Sequence, residues 1–118
     1  MSLNEDDLAY LIDIYNMALD VIDATNVKEY YRFQNDKWKR LSTERLLETI
    51  GQAAKKISLE TQEKISEIPW KQIIALRNVL AHEYDEVLIV KIWNIAKNDV
   101  PVLIKKLESI DDLKPYIY

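Results

Sequence analysis

A single glycine, Gly51, in 118 residues sets the narrowest limit on what this chain can fold into. Hairpins and tight turns draw on glycine, and next on asparagine, for backbone with positive φ. Pro69, Pro101 and Pro115 are the remaining strong breakers. So few interruptions point to helices joined by short connections, and the chain reads as all-α. Residues 1–118 read as one domain, long enough to bury a core without staples. With no cysteine there is no disulfide framework and no thiolate metal site, which fits a reducing cytoplasm. The start, Met1 to Asp7, has no basic region and no long apolar run follows, so neither a signal peptide nor a membrane span is expected. The net charge of −4 argues against non-specific nucleic-acid binding by the whole surface, but leaves room for a local basic site.

Periodicity places the helices. Leu8, Leu11, Ile12, Tyr15, Ala18, Leu19 and Ile22 recur at three-and-four spacing and predict a helix from Asn4 to Ala24. Asp6, Asp13 and Asp20 fall on another face. They stand about two turns apart, too far to share one ion, and read as a solvated stripe. A short helix is expected around Val27–Phe33, then a longer one from Asp36 to Ile57. The latter carries Trp38, Leu41, Arg45, Leu46, Thr49, Ile50, Ala53, Ala54 and Ile57 on one face. Glycine in a helix interior costs about 1 kcal/mol relative to alanine, so Gly51 marks a place where another backbone comes close. Ser58 offers an N-cap for a short helix to Ser66. Pro69 stops the chain, and Trp70 starts a new helix. Asp85 can cap a last long helix to Ile110, with Val87, Val90, Trp93, Ala96 or Lys97, Val100, Ile104, Leu107 and Ile110 inward. Pro101 should kink that helix rather than end it, because the apolar pattern resumes beyond it. The tail from Pro115 to Tyr118 reads equally as a frayed or a docking end.

The chemistry-bearing residues gather in Arg77-Asn78-Val79-Leu80-Ala81-His82-Glu83-Tyr84. His82 is the only histidine, and imidazole alone titrates near neutral pH without help. On a helical wheel Trp70, Ile73, Leu76 and Leu80 form one apolar stripe, with Arg77 within about 40° of its centre. A guanidinium there needs a partner or a wet pocket. His82 would point about 140° from Arg77 on a regular helix. The two converge on one ligand only if the helix ends or bends near Ala81–Glu83, or if a second copy contributes. A helix end there also favours protonated His82 through the dipole. Against this stands a plain structural reading, an arginine paired with a core carboxylate and a histidine that caps a helix. Spacing alone does not separate the two.

Other constellations are thinner. One histidine and no cysteine leave no ordinary zinc set, and no glycine-rich phosphate loop is present. Serines lack a second histidine or an elbow glycine for a triad. Lys37, Lys39, Arg40 and Arg45, with Trp38 and Tyr31, form the most basic aromatic stretch. It reads either as a track for a nucleic-acid backbone or, with more weight, as a solvated helix face.

The run Ile68-Pro69-Trp70, continued by Leu76-Arg77-Asn78-Val79-Leu80-Ala81-His82-Glu83-Tyr84, resembles the HepT family of HEPN-domain ribonuclease toxins. So do Leu46-Leu47-Glu48-Thr49-Ile50-Gly51-Gln52-Ala53-Ala54-Lys55-Lys56, Trp93 and Val100-Pro101. The resemblance spans residues 5–110; Gln52 departs from it, since many relatives carry Glu there. It implies an up-and-down HEPN-like bundle of four to five main helices that pairs into a homodimer, with higher hetero-oligomers open. It implies metal-independent endonucleolytic cleavage of tRNA or mRNA, with Arg77 and His82 catalytic and Asn78 supporting them. It further implies a type VII toxin–antitoxin system. There an MntA-type minimal nucleotidyltransferase uses ATP to place AMP on the motif tyrosine, here Tyr84. A second expectation is a non-catalytic bundle that serves as the substrate-binding or regulatory subunit of a nucleotidyltransferase.

Overall fold

In the computed structural model the backbone is described for residues 2–82 and 85–117. The side chains of Val79, Ala81, His82, Asp85 and Glu86 also lie outside the described residues. Helix α1 (Glu5–Ala24) starts behind Asn4, whose side chain accepts from the Asp7 N–H at 2.8 Å. Its first turn is Glu5, Asp6 and Asp7, the charge sign a helix N-terminus favours. Leu11, Ile14, Tyr15, Ala18 and Val21 form its buried arc. Leu19 and Ile22, expected on that arc, are exposed. The reason is tertiary: α1 is gripped by later helices on the side of Ile14 and Val21, which turns the arc away from Leu19. Asp6, Asp13 and Asp20 are exposed, as their spacing predicts.

Helix α2 (Tyr30–Gln34) starts later than periodicity suggests and buries Phe33 completely. Asp36 then caps α3 (Lys37–Lys56) by accepting from the Lys39 N–H at 3.0 Å. Those bounds match the sequence, but the front half of the expected face does not. The buried ladder is Thr43, Leu47, Ile50, Gly51, Ala53 and Ala54, while Trp38, Leu41 and Arg45 are exposed. Thr43 tolerates burial because its hydroxyl donates to the Lys39 carbonyl at 2.7 Å.

Ser58 caps α4 (Leu59–Lys64), and a corner through Pro69 leads into α5 (Trp70–His82). Trp70, Ile73 and Leu80 are buried and Leu76 is half-buried, so the predicted stripe is present. The last long segment runs α6 (Asp85–Asn94), a π-helical turn (Ile95–Asp99) and α7 (Val100–Glu108). Pro101 has no N–H to close an α-turn, and its ring would strike the Lys97 carbonyl. The chain widens just before it instead, with the Val100 N–H donating to the Ile95 carbonyl. The inward residues are Ile92, Ala96, Val100, Leu103 and Leu107. Val87, Val90 and Lys97, proposed for that side by periodicity, are exposed.

Helix α1 packs along α3, α3 along α5, and α7 returns to α1, closing one apolar core. Phe33 and Tyr30 lie against Trp93, with ring centroids 5.3 and 5.8 Å away, and tie α2 to α6. Of the tail from Pro115, Ile117 packs against the core and Tyr116 is exposed, while Tyr118 lies outside the described residues. Leu113, in a 3₁₀ turn (Asp111–Leu113), is fully buried, and Asp112 accepts from the Leu3 N–H at 2.9 Å. A short α8 (Lys114–Ile117) follows. Among the described residues no strand occurs, and no helix is long and apolar enough to cross a membrane.

Candidate active site

The site is built from the backbone outward, and Gly51 comes first. A Cβ added to Gly51 would stand 2.9 Å from the Ile73 carbonyl oxygen, 3.5 Å from Leu76 Cβ and 3.6 Å from the Arg77 nitrogen. Helix α3 therefore crosses α5 almost backbone to backbone at the turn that presents Arg77. The close approach inferred from a lone helix glycine is present, and its partner is the motif helix.

Arg77 and Asn78 are exposed on α5. The wheel puts Arg77 near the apolar stripe, where a cation demands a partner. In the fold its side chain clears the crossing and reaches water, since a long stem can cover apolar surface while its head stays solvated. A guanidinium held there cannot lose its charge and presents a flat fork of donors, the geometry a phosphate accepts.

Helix α5 is described as far as His82 and α6 from Asp85 onward. The helix end or bend expected near Ala81–Glu83 falls on residues outside those described; His82 stands about 7.5 Å along the axis from Arg77. The His82 side chain and Tyr84 lie outside the described residues, and so does their geometry toward Arg77. Gln52 is half-buried and its amide donates to Glu48 at 3.4 Å, a long contact. It lines an open groove with Tyr10, Asp13 and Lys56, between α1 and α3. Among the described residues no three His, Cys, Asp or Glu side chains gather in a metal-binding group. An apolar groove of about 280 Å³ between α3, α5 and α7 holds Ile50, Ile73, Leu76 and Leu103 but neither Arg77 nor Asn78. Its lining is mostly apolar, with Asp99 and Lys106 among its few charged residues, and it is not part of the candidate site.

Two supports of α5 escaped sequence reasoning. The Trp70 indole N–H donates to the Ile65 carbonyl at 2.9 Å, locking the corner from which α5 springs. Asp7, almost fully buried, receives the Ser58 N–H at 3.0 Å, the Ser58 hydroxyl at 2.6 Å, the Thr61 hydroxyl at 2.5 Å and the Asn4 amide at 2.8 Å. One carboxylate thus joins the start of α1 to the start of α4. Asn4-x-x-Asp7 and Ser58-x-x-Thr61 are each visible as capping patterns; that they share an anion is not.

Residues 14–110 match the family model described as "Ribonuclease HepT-like". "Putative RNase MJ1380" of Methanocaldococcus jannaschii is 39% identical over 102 residues, covering 86% of this chain and 94% of that protein. "Putative RNase MJ1216" of the same organism is 37% identical, covering 86% and 84%. "Probable ribonuclease HepT" of Thermococcus cleftensis is 32% identical over 101 residues, covering 86% and 92%. No solved structure matches the chain.

Proposed function

The chain belongs to the HepT-like ribonuclease family, and we propose that it is the toxin of a type VII toxin–antitoxin system, an endoribonuclease that needs no metal ion. The observation that carries this reading is Arg77, an exposed cation on α5 set by a backbone crossing at Gly51, with His82 five residues later in the chain.

Cleavage begins when a ribose 2′-hydroxyl attacks the adjacent phosphorus. A base must take its proton, an acid must protonate the departing 5′-oxygen, and a cation must hold the charge that gathers on the phosphoryl oxygens. Arg77 is the cation and clamps the phosphate bidentately. Asn78 orients the phosphate or a nearby polar group. His82 transfers the protons, and since each protomer has one imidazole, base and acid come from the two His82 residues of a homodimer. Regulation acts on the same cleft. A partner nucleotidyltransferase of the MntA type would direct the Tyr84 oxygen onto the α-phosphorus of ATP, releasing pyrophosphate. The phosphodiester left on Tyr84 occupies Arg77 as an RNA phosphate does, and the nucleoside fills the cleft.

The purified protein is expected to cut tRNA or total RNA in EDTA. Positioned proton transfer contributes about 10²–10⁴-fold in rate, so His82→Ala should lose at least about a hundredfold, and Arg77→Ala should fall with it. Undiminished cutting by His82→Ala would remove the assigned mechanism. Intact RNA with the wild-type protein, together with a stable complex with the transferase, would support a non-catalytic subunit instead.

A further inference from the structure

The ribonuclease reading leaves one feature unused, the outer face of α3 where it leaves the core. Trp38 is 74% exposed and Leu41 45%, although both fit the apolar spacing of the helix. A tryptophan that folding leaves in water is an exception to the usual burial of large rings. Local patterns that fail without benefit to the core concentrate at functional surfaces. On the neighbouring α2, Tyr31 is 53% exposed.

Cations interleave with these rings. The Lys37 ammonium stands 5.8 Å from the Trp38 ring centre, and the Arg32 guanidinium 5.9 Å from that of Tyr31. The Arg45 side chain is 70% exposed, and its contact with Glu48 is loose at 3.8 Å. Between Lys28 and Arg45 there are six cations and three acids, in a chain whose net charge is −4. The basic site that the overall charge leaves room for is therefore here.

We propose that this face of α3, from Trp38 to Arg45, is a docking track for single-stranded RNA. The proposal rests on the ribonuclease reading and names where its substrate is held. Bases stack on exposed aromatic rings whatever their identity, while neighbouring cations follow the phosphates. A second copy of this chain fits the face less well, because a two-fold contact centred here would set the cations Lys37 and Arg45 against cations of the other copy. The direction follows from helix geometry. Trp38, Leu41, Arg45 and Gln52 fall within an arc of about 60°, and Trp38 to Gly51 is about 20 Å along the axis. Gly51, which meets α5, lies about 80° round the helix from the nearest residue of that arc. Gln52, at the end of the arc, lines the open groove between α1 and α3. A strand laid on the arc therefore runs along the outside of α3 to that groove.

The test uses the His82→Ala protein, which binds without cutting, and a fluorescently labelled unstructured 12-nucleotide RNA followed by anisotropy. Adding Trp38→Ala should weaken binding at least about fivefold, the loss of one stacked base. Trp38→Phe should recover most of it. Arg45→Gln should lower the slope of log affinity against log salt by about 0.7, one single-strand phosphate contact. Sedimentation of each variant should match that of the parent. Unchanged affinity in Trp38→Ala overturns the track, and so does a changed sedimentation coefficient, which would make the face a contact between copies. Wild-type cleavage of the same RNA in EDTA is measured in parallel. Cleavage with Trp38-independent binding overturns the track alone; Trp38-dependent binding without cleavage supports the track and overturns the ribonuclease reading; neither activity overturns both.

Discussion

At the scale of the residue, Asp7 and Gly51 hold the positions on which the rest depends. Burial pushes the Asp7 carboxyl up, but hydrogen bonds from the Ser58 and Thr61 hydroxyls, the Ser58 N–H and Asn4 outweigh it and bring its pKa below the ordinary value. A depressed carboxylate stabilises the fold above its unfolded pKa, about 3.9, and the contribution fades as pH falls through the folded value. Urea unfolding of the wild type should therefore weaken below about pH 4. Asp7→Asn should cost about 1.5–3 kcal/mol at pH 7, the range for hydrogen bonds to a charged group, and should flatten that acid limb. An acid limb of unchanged depth would show that Asp7 is not its source. Gly51→Ala sets two effects against each other. Alanine gains about 1 kcal/mol in helix propensity, yet its Cβ would sit 2.9 Å from a backbone carbonyl that has no rotamer to escape through. Overpacking of that kind costs about 1–3 kcal/mol, so a net loss is expected, with RNA cleavage falling as α5 is pushed away. A melting temperature at or above that of the wild type would refute the close crossing. Gly51 could be singled out from sequence because only a tight approach makes a helix glycine worth keeping. Asp7 could not, because its partners Ser58 and Thr61 are more than fifty positions away.

At the scale of the element, helix limits were legible and helix faces only partly so. The starts of α1, α3 and α5 follow from local chemistry: Asn4 and Asp36 cap the first two, and Pro69 precedes the third. Faces depend on how many neighbours grip a helix. The front of α3 carries apolar residues at core spacing, yet only its rear half lies between α1 and α5, so Trp38 and Leu41 reach solvent. The proline in the last segment was expected to bend it; the chain takes a π turn instead, which places Ala96 and Val100 on the same buried side. Lys97, one residue on, sits over the Trp93 ring at 4.7 Å and donates to the Thr25 carbonyl at the end of α1. A cation there also suits the negative end of that helix. The α4–α5 corner is the element-level test. Trp70→Phe keeps an aromatic ring but leaves the buried Ile65 carbonyl without the indole N–H. That carbonyl keeps the Ile68 N–H at 3.3 Å, so a stability loss of about 0.5–1.5 kcal/mol is expected, with cleavage reduced further than global stability requires, because this corner aims the motif helix. Equal stability in a urea titration would show that the bond does not hold the corner.

At the scale of the whole molecule, the family places this chain among ribonucleases, and the proposed switch involves two proteins. Intact mass after co-expression with an MntA-type nucleotidyltransferase is expected to rise by one or more AMP units, with loss of RNA cleavage. Tyr84→Phe should stay unmodified and active in the same cells. Equal modification of Tyr84→Phe would move the site elsewhere.

Fold class and the order of the helices were settled by sequence alone. Each follows from short-range rules: glycine scarcity, capping side chains, and the period of apolar residues. Only the tertiary structure decided that Gly51 meets the motif helix beside Arg77, that Arg77 stands in water, and that Asp7 bolts α1 to α4. It also decided that Trp38 is left outside the core. These are facts about which helices touch and on which side. A helical repeat specifies a direction from its own axis, and the contact made in that direction is set by a neighbour arriving from elsewhere in the chain.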